Sequence, residues 1–488
     1  MAQQPLKICL ATAEMTPLAK TGGLADVAAA LSVFLDRQGH DVRVLLPLHS
    51  VIDAKALDLA GVHFLQDRHL WLGGRHYRYS IDTATLPGSK LRIYLLRCPE
   101  LYDRPGVYTS GPDEHLRFIA LSRIAVEMCQ QMGFAPDIFH CHDWHTALVP
   151  LYLKTLYAWD RLFARTRSVL TIHNIAYQGV FGADILRDMG LQDYRGSLYQ
   201  EDLGQGRVNF MKHGVVYADL LTTVSPTYAR EILEPEYGMG LQDLLRQRRE
   251  SLVGILNGVD YDEWNPRSDP LIPHPYDARA TSGKKRNKRA LLQELGMEDS
   301  AERPLLGMVT RLTGQKGLDL VQQVVPGMIE RDRFALVVLG SGETRYEQFF
   351  HWLQQRFPGR VCFWRGFNNR LAHWIEAGSD LFLMPSLFEP CGLNQMYSLR
   401  YGTPPIVRRT GGLADSVQLF DPASGRGTGI VFDHFDAPAL EWAINYGLQL
   451  YQDKRSWRKL MQNGMAMDFS WKRQGQEYID LFRQLAAR

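Results

Sequence analysis

KTGGLADV at residues 20–27 and RTGGLADS at residues 409–416 contain the same hexapeptide, TGGLAD, once in each half of the chain. Each copy follows an apolar segment and precedes one that can form a helix, expected over residues 27–35 and 417–420. Paired glycines let a backbone approach an anion, and a helix start beside a cation attracts one. Either copy alone could equally be a tight turn into a helix. The repetition predicts two similar units, each with one such loop.

Short apolar runs alternate with amphipathic segments through both halves of the chain. Such runs are typical of buried parallel strands, while the i, i+3, i+4 spacing of Leu24, Val27 and Leu31 predicts a helix. The alternation indicates an α/β protein with doubly wound sheets. The expected strands are residues 7–11, 42–46, 138–140, 169–173, 305–309, 334–339 and 381–385.

Length and composition are those of an ordinary globular protein with two large domains or three of average size. The 488 residues carry a formal charge of +2, with 45% hydrophobic and 22% charged residues, so nothing points to nucleic acid. The domain boundary is expected near residues 251–266, because the turn-rich stretch NGVDYDEWNP occupies residues 257–266. The expected domains are residues 1–250 and 251–467. The basic run KKRNKR at residues 284–289 is expected to be a solvated helix start.

Cysteine usage and hydropathy indicate the cellular compartment in which the protein is expected. Six scattered cysteines form no CxxC pair, which favours a reducing compartment without a structural zinc site. We find no signal peptide and no run of eighteen apolar residues, so the expected location is cytoplasmic, away from membranes.

Two segments of the second half carry groups suited to a diphosphate. Arg311 and Lys316 follow an expected strand in a glycine-containing loop, where two cations can neutralise a departing anion. Glu389 follows another expected strand, and the residues after it can offer backbone amides to phosphate. The alternatives are two surface cations and an ordinary helix cap.

The first half contains HCHDWH at residues 140–145 and TIHN at residues 171–174. Three histidines on one short segment cannot all face one ion, so we expect no metal. Asp143 and Trp144 suit a hexose, through a carboxylate for its hydroxyls and a ring for its face. His173 ends a strand, where ligands bind in α/β folds, but it could equally be structural. The DxD triplet at residues 260–262 lies in a turn and is assigned no metal.

Seven motifs, in order along nearly the whole chain, resemble the bacterial glycogen synthase and plant starch synthase family. The segment DFSWKRQGQEYIDLF resembles that family's last helix, expected at about residues 468–488 and returning to the first domain. The motifs are KTGGLADV (20–27), HDWH (142–145), TIHN (171–174), NGVD (257–260), TRLTGQKG (310–317), FEPCGL (388–393) and RTGGLADSV (409–417).

The resemblance implies a GT-B fold, with two Rossmann-like domains facing each other across a deep cleft. It also implies a retaining transfer of glucose from ADP-glucose to the non-reducing end of an α-1,4-glucan, without metal or other cofactor. Carried over by motif, the catalytic residues are Glu389, Lys316, Arg311 and His173. The substrate-binding residues are Lys20, Gly22, Gly23, Asp26, Asp143, Asn257, Cys391, Gly392, Leu393, Asn394 and Tyr397.

Three positions depart from the family pattern. Phe367 replaces a usual tyrosine, Asn394 a usual threonine, and Tyr397 stands where related transferases have a glutamate for the donor ribose. ADP-glucose is favoured over UDP-glucose because bacterial members mostly use it and no transit segment is evident. The alternatives are another GT-B enzyme, such as a phosphorylase or a sucrose-type synthase, and a glucan-binding protein without turnover. Front-face attack and double displacement both stay open.

Overall fold

The computed structural model describes residues 4–298 and 302–488, which fold as two units. Unit 1 runs to Val224 and adds Ala229–Gly258 and Trp471–Arg488, whereas unit 2 consists of Ser225–Tyr228 and Val259–Ser470. The division after residue 250 expected from the sequence falls too early, because the strand Leu252–Gly254 pairs in parallel with Leu220–Thr223 of the first sheet. The C-terminal helix begins at Trp471 and belongs to unit 1.

Unit 1 is built on a ten-stranded sheet and a separate antiparallel pair. Its strands are β1 (Lys7–Ala11), β2 (Asp41–Pro47), β3 (Ala60–Gly61), β4 (Arg68–Leu72), β5 (Arg75–Thr85), β6 (Arg92–Arg97), β7 (Ile138–His142), β8 (Arg167–Ile172), β9 (Val180–Gly182), β10 (Arg207–Asn209), β11 (Leu220–Thr223) and β12 (Leu252–Gly254). The order is β12-β11-β8-β7-β1-β2-β6-β5-β3, with β4 paired to β5, while β9 pairs with β10. The strands from β12 to β6 are parallel, and β3, β4 and β5 add antiparallel edges.

Helices cover the parallel part of the first sheet. The apolar stripe of the first helix packs on the sheet and on the C-terminal helix, so Phe34 and Phe482 share one core. These helices are α1 (Gly23–Arg37), α2 (Pro99–Tyr102), α3 (Glu114–Gln131), α4 (Asp143–Thr146), α5 (Leu148–Lys154), α6 (Leu186–Met189), α7 (Gln200–Gly204), α8 (Phe210–Tyr217), α9 (Pro226–Glu231), which the division splits after Tyr228, and α10 (Gln242–Gln247).

Unit 2 contains a six-stranded, fully parallel sheet in the order β15-β14-β13-β16-β17-β18. Its strands are β13 (Leu305–Val309), β14 (Ala335–Gly340), β15 (Val361–Arg365), β16 (Leu381–Met384), β17 (Pro405–Arg408) and β18 (Ile430–Phe432). Its helices are α11 (Ser282–Glu294), α12 (Leu318–Glu330), α13 (Thr344–Arg356), α14 (Asn369–Gly378), α15 (Asn394–Arg400), α16 (Gly411–Ser416), α17 (Ala437–Gln452) and α18 (Lys454–Met465), and α19 (Trp471–Ala486) then closes the chain in unit 1.

Both sheets have a point where the strand order reverses, and these points place the candidate sites. In unit 2 β13 lies between β14 and β16, and the chain crosses from β15 back to β16 on the other side of β13. In unit 1 β1 lies between β2 and β7, and the chain crosses from β6 back to β7 on the other side of β1. Loops at the carboxyl ends of the two strands diverge there and leave room for a ligand. The α/β class expected from the sequence is therefore confirmed, with one switch point in each unit.

Two local expectations were wrong. The helix at the second hexapeptide is Gly411–Ser416, inside the motif, and Val417 is already extended, with φ −122° and ψ 130°. The basic run does open a helix, but Lys284 and Lys288 are buried. Lys284 Nζ donates to the carbonyl oxygens of Glu376 and Ala377, at 3.3 and 3.2 Å, so the charges expected in solvent instead hold neighbouring elements together.

Candidate active site

In unit 2 an ion pair joins the two loops of the switch point. Lys316 follows β13 and Glu389 follows β16, and Lys316 Nζ lies 2.7 Å from Glu389 Oε2. The approach depends on Gly317, whose φ is +69° and where a Cβ would lie 1.9 Å from the Pro385 carbonyl oxygen. Both charged side chains are largely buried, with 16% and 7% exposed. The pair therefore places a cation and a carboxylate at the position where such sheets bind ligands.

Near the ion pair, the Glu389 carboxylate has a further hydrogen-bond donor, whereas the second cation of the segment, Arg311, is exposed. Ser386 Oγ donates a second hydrogen bond to Glu389 Oε2, at 2.9 Å, which fixes the carboxylate. Arg311 is exposed, and in residues 4–298 and 302–488 no partner is found for its guanidinium. This leaves one cation held in place and a second one available to an anion.

The second hexapeptide packs against the backbone around Glu389. The Gly412 N–H donates to the carbonyl oxygens of Glu389 and Pro390, at 3.1 and 3.2 Å. A Cβ at Gly411 would lie 1.9 Å from the Glu389 carbonyl oxygen, and one at Gly412 would lie 2.2 Å from that of Cys391. The paired glycines thus permit a close approach of two backbone segments, where the sequence predicted an approach to an anion.

Three backbone amides follow Glu389 in the predicted order. The N–H groups of Gly392, Leu393 and Asn394 meet no acceptor within the described part of the chain. The Asn394 side chain instead donates to the Val309 carbonyl oxygen at 2.5 Å, at the end of β13. These amides are therefore free to take an anion, whereas the Asn394 side chain is already used in the fold.

Tyr397 and Phe367, two departures from the family pattern, have different environments. Tyr397 is buried and stacks in parallel on Trp264, with ring centroids 3.9 Å apart, and Trp264 stacks in turn on His373 at 3.8 Å. Phe367 is 77% exposed. Tyr397 therefore belongs to a packed aromatic stack, while the Phe367 ring is open to solvent.

In unit 1, a carboxylate that sequence reasoning missed holds the first hexapeptide loop. Glu14 Oε2 accepts hydrogen bonds from the backbone N–H groups of Thr21, at 2.5 Å, and Gly22, at 3.0 Å. The Tyr108 hydroxyl donates to the other oxygen of Glu14. Burial raises the pKa of Glu14, and these hydrogen bonds oppose that effect. The Gly22 amide, expected to meet substrate, is thus occupied by an internal anion.

Lys20 and Asp26 of the same loop are paired with each other. Lys20 Nζ lies 2.7 Å from Asp26 Oδ1, which also accepts a hydrogen bond from Thr16 Oγ1 at 3.0 Å. The Lys20 side chain is 43% exposed, so the pair is a weak one that a ligand can replace. Gly23 begins α1 immediately beside this pair.

Asp143 lies at the other side of the unit 1 switch point, directly after β7. Its φ of +52° is unusual for a residue with a side chain, and such strain is concentrated at functional sites. Asp143 Oδ1 accepts hydrogen bonds from the backbone N–H groups of His173, at 2.7 Å, and Asn174, at 3.4 Å. Burial, and to a smaller extent the Glu14 charge, raise the pKa of Asp143 to about 7 against the opposing effect of the two N–H groups. Asp143 therefore titrates near neutral pH.

The histidines of this region are buried and neutral. His142 Nδ1 and His173 Nε2 lie 2.9 Å apart, so one imidazole donates to the other. Burial lowers the pKa of His173 to about 3 and holds that of His142 well below its usual range. Within the described residues, no group of three or more His, Cys, Asp and Glu side chains could hold a metal ion. His173 can therefore act only as a neutral hydrogen-bonding group.

The expectation that the Trp144 ring stacks on a sugar is not supported by its packing. The ring contacts Phe118, at a centroid distance of 4.7 Å, and Phe181, at 5.8 Å. A Cβ at Gly179 would lie 2.2 Å from a Trp144 ring atom, so this backbone packs against the ring, which is still partly exposed. These contacts give Trp144 a role in packing, and its contact with a sugar stays a prediction.

The structure brings some of the predicted residues into contact in each unit, Lys316 with Glu389 in unit 2 and two pairs in unit 1. In unit 1, Asp143 and His173 are in contact, Lys20 pairs with Asp26, and Tyr108 links Glu14 to this region by stacking on His145 at 4.7 Å. Asn257 follows β12 at the edge of the sheet, is buried, and its Oδ1 has no partner among the residues described. The missed residues, Glu14 and Tyr108, lie in no motif that the sequence singled out.

Comparison with known proteins identifies the family. Residues 7–247 match the family described as "Starch synthase catalytic domain", and residues 297–464 match "Glycosyl transferases group 1". A protein named glycogen synthase from Dechloromonas aromatica is 45% identical over 99% of both chains. Another from Desulforudis audaxviator is 42% identical over 99% of this chain and 97% of its own length. The chain belongs to the glycogen synthase and starch synthase family.

Solved structures agree with this assignment. The catalytic domain of Starch Synthase IV from Arabidopsis thaliana, bound to ADP and acarbose, is similar with a TM-score of 0.91 and 35% identity, over 99% of this chain and 100% of that one. Sucrose-phosphate synthase from Thermosynechococcus elongatus shares the fold, with a TM-score of 0.60 at 17% identity over 99% of this chain and 100% of its own. The protein is a glycosyltransferase with a GT-B fold, as the sequence motifs predicted. No helix in the described ranges is long and apolar enough to cross a membrane.

Proposed function

We propose that this protein transfers glucose from ADP-glucose to the non-reducing end of an α-1,4-glucan, with retention of the anomeric configuration. The relatives named glycogen synthase and the starch synthase structure with bound ADP and acarbose support this donor and acceptor. The observation that carries the proposal is the Lys316–Glu389 pair, 2.7 Å apart at the switch point of unit 2, with Arg311 exposed on the same loop.

The cations of unit 2 suit a departing nucleoside diphosphate. When the bond between C1 of glucose and the diphosphate oxygen breaks, negative charge grows on that oxygen and positive charge on the sugar ring. Lys316, Arg311 and the N–H groups of Gly392 to Asn394 would stabilise that negative charge, which is the largest single contribution in many such reactions. These groups can do this work with no metal ion or other cofactor.

Glu389 suits a positioning role better than that of a nucleophile. One of its oxygens already accepts hydrogen bonds from Lys316 Nζ and Ser386 Oγ, which holds the carboxylate and lowers its reactivity. We therefore favour attack by the acceptor O4 on the same face that the diphosphate leaves. The O4 proton then passes to the departing phosphate oxygen, and the charges balance without a covalent intermediate on the enzyme.

The predicted residues of unit 1 would bind the transferred glucose and the acceptor. Asp143 offers a carboxylate to hydroxyl groups, and His173 offers a neutral ring. Lys20 and Gly23 would meet the donor once Lys20 leaves Asp26, while Asp26 and Asn257 accept from sugar hydroxyls. The acceptor assignment of unit 1 and the donor assignment of unit 2 are part of this proposal.

Product analysis tests the proposed reaction. The purified protein is supplied with maltotetraose and either ADP-glucose or UDP-glucose, and proton NMR follows the new linkage. We expect α-1,4-linked maltopentaose with stoichiometric ADP release, faster than from UDP-glucose. A β-linked product would contradict retention, and faster turnover of UDP-glucose would contradict the donor.

A further inference from the structure

A small pocket lined by both polar and apolar residues lies in unit 1, apart from the site residues discussed so far. Its volume is about 210 Å³, and it lies between the β9–β10 pair, α7, α8 and the loop that contains Met239 and Gly240. Pockets for drug-sized ligands occupy about 300–1,000 Å³, so this one has room for a single small ring.

Asp202 provides the strongest indication of a ligand. It is 6% exposed, its Oδ1 accepts a hydrogen bond from Lys212 Nζ at 2.7 Å, and its Oδ2 has no partner in residues 4–298 and 302–488. Lys212 is held in turn over the Tyr199 ring, 4.2 Å from its centroid. A buried carboxylate oxygen without a hydrogen bond is costly, so this oxygen requires a donor that the fold does not supply.

The remaining wall combines polar and apolar groups. Asn209 Nδ2 donates to Gln178 Oε1 at 2.6 Å, and Gln178 Nε2 donates to the Met239 carbonyl oxygen at 2.9 Å. Arg207 and Val180, both exposed, lie at the rim. Fixed amides, a guanidinium and the apolar side chains of Val180, Met239 and Leu241 around a small volume match the alternating hydroxyls and C–H groups of a sugar ring.

The charges favour a neutral ligand over an anion. Lys212 is already paired with Asp202, and the unpaired oxygen of Asp202 would repel a negative group but can accept a hydrogen bond from a hydroxyl. Gln178 also lies on the loop after β8 that carries His173, and this loop is tied to α8 by hydrogen bonds from Phe210 to Gly179 and from Met211 to Gln178. The pocket is therefore built on the same loop as His173.

We propose that this pocket binds one glucose unit of the acceptor glucan, with Asp202 accepting from its hydroxyls and Arg207 donating to them. The inference rests on the proposed function, since it assigns a second contact to the same polymeric acceptor. Two sites on one polymer raise its apparent affinity by effective concentration, without changing the chemical step.

Two variants and a matched control test this assignment. Asp202→Asn keeps the shape of the pocket, and Arg207→Ala removes an exposed side chain on which no part of the core depends. Arg195→Ala removes an exposed arginine of the same unit that does not line the pocket. Because each of the first two variants removes a hydrogen bond that involves a charged group, we expect the KM for glycogen, a polymer long enough to occupy both sites, to rise about tenfold or more. The KM for ADP-glucose, kcat at saturating acceptor and the Arg195→Ala enzyme should stay at wild-type values.

Calorimetric titration with maltotriose separates this inference from the proposed function. If the wild type turns over and both pocket variants keep its KM and its maltotriose affinity, the pocket assignment is overturned. If the wild type shows no turnover, the proposed function fails. In that case the pocket assignment is supported if maltotriose binds the wild type and binds Arg207→Ala more weakly, and it is overturned if the two affinities are equal. If Asp202→Asn does not fold, as judged by thermal unfolding, Arg207→Ala alone decides.

Discussion

Lys316 Nζ and Glu389 Oε2 lie 2.7 Å apart, and they join the loops after β13 and β16 where the strand order of the second sheet reverses. Largely buried ion pairs contribute little net stability, because desolvation offsets much of their attraction. The Lys316–Glu389 pair therefore matters because it fixes the positions of its two groups. The pair keeps a cation and a fixed carboxylate at the ligand-binding edge of the sheet.

Removal of the held cation should affect chemistry more than folding. We expect Lys316→Ala to lower kcat by about 10²–10³, the usual cost of losing one group that stabilises developing negative charge. Steady-state kinetics with ADP-glucose measure this, and thermal unfolding checks the fold. Lys154→Ala, which removes a surface pair with Asp219 at 3.2 Å, is the control and should keep wild-type turnover. Near-normal kcat in Lys316→Ala would remove the proposed role.

Glu14 is expected to shape the first hexapeptide loop. In Glu14→Gln the amide NH₂ replaces one acceptor oxygen and can no longer accept from both the loop and Tyr108, so the loop should lose order. We expect the KM for ADP-glucose to rise about tenfold, from the about 1–3 kcal/mol cost of an unsatisfied group. Tyr108→Phe removes one hydrogen bond and keeps the ring, so its effect should be smaller. Equal kinetics in wild type and Glu14→Gln would show that the carboxylate does not set the loop.

Asp143 should make stability depend on pH in a defined direction. The pKa of Asp143 is raised to about 7 in the folded protein and is about 4 in the unfolded chain. At pH values between about 4 and 7, the folded state therefore binds more protons at this residue than the unfolded state does. The free energy of unfolding of the wild type, relative to Asp143→Asn, should therefore fall by a few kcal/mol as the pH rises from about 4 to about 7. Urea unfolding across this range tests it, with the exposed Asp193→Asn as control. A flat difference would mean that Asp143 is ionised throughout.

The two hexapeptides offer a matched pair of glycine substitutions. Gly411 has φ +43° and its Cβ would lie 1.9 Å from the Glu389 carbonyl oxygen, whereas Gly22 has φ −151° and nothing lies within 4 Å of its Cβ. Gly411→Ala should lower the free energy of unfolding by about 3 kcal/mol or more, because strain and a backbone clash add up. Gly22→Ala should cost much less. Similar thermal unfolding of the two variants would contradict the different roles assigned to the copies.

Much of the fold could be predicted from local sequence patterns. Buried parallel strands are continuous apolar runs, so β1 and β13 were predicted with the bounds that the structure has. The helix expected over residues 417–420 was wrong because the motif itself forms the helix and Val417 leaves it in an extended conformation. Burial of Lys284 was also missed. Its pKa, lowered to about 7 by burial, depends on packing against α14 that no local pattern reveals.

Only those residues of the candidate site that lie in recognisable sequence motifs could be predicted. Lys316 and Glu389 stand in recognisable segments, but their contact depends on the Gly317 turn meeting the Pro385 carbonyl group. Glu14 and Tyr108 are distant in sequence and belong to no motif, so only the folded chain brings them together. An aromatic residue beside a carboxylate, as in Trp144 after Asp143, is typical of sugar sites, whereas the packing of Trp144 against Gly179 is a tertiary property.

The central claim is that protein cations, with no metal ion, drive glucose transfer from ADP-glucose to glucan. The most direct test is incorporation of labelled glucose into glycogen by the purified protein, with ADP-glucose as donor, with and without EDTA. The account predicts rapid incorporation at the same rate in both conditions. No incorporation by a folded protein that still binds glycogen, or incorporation abolished by EDTA, would contradict it.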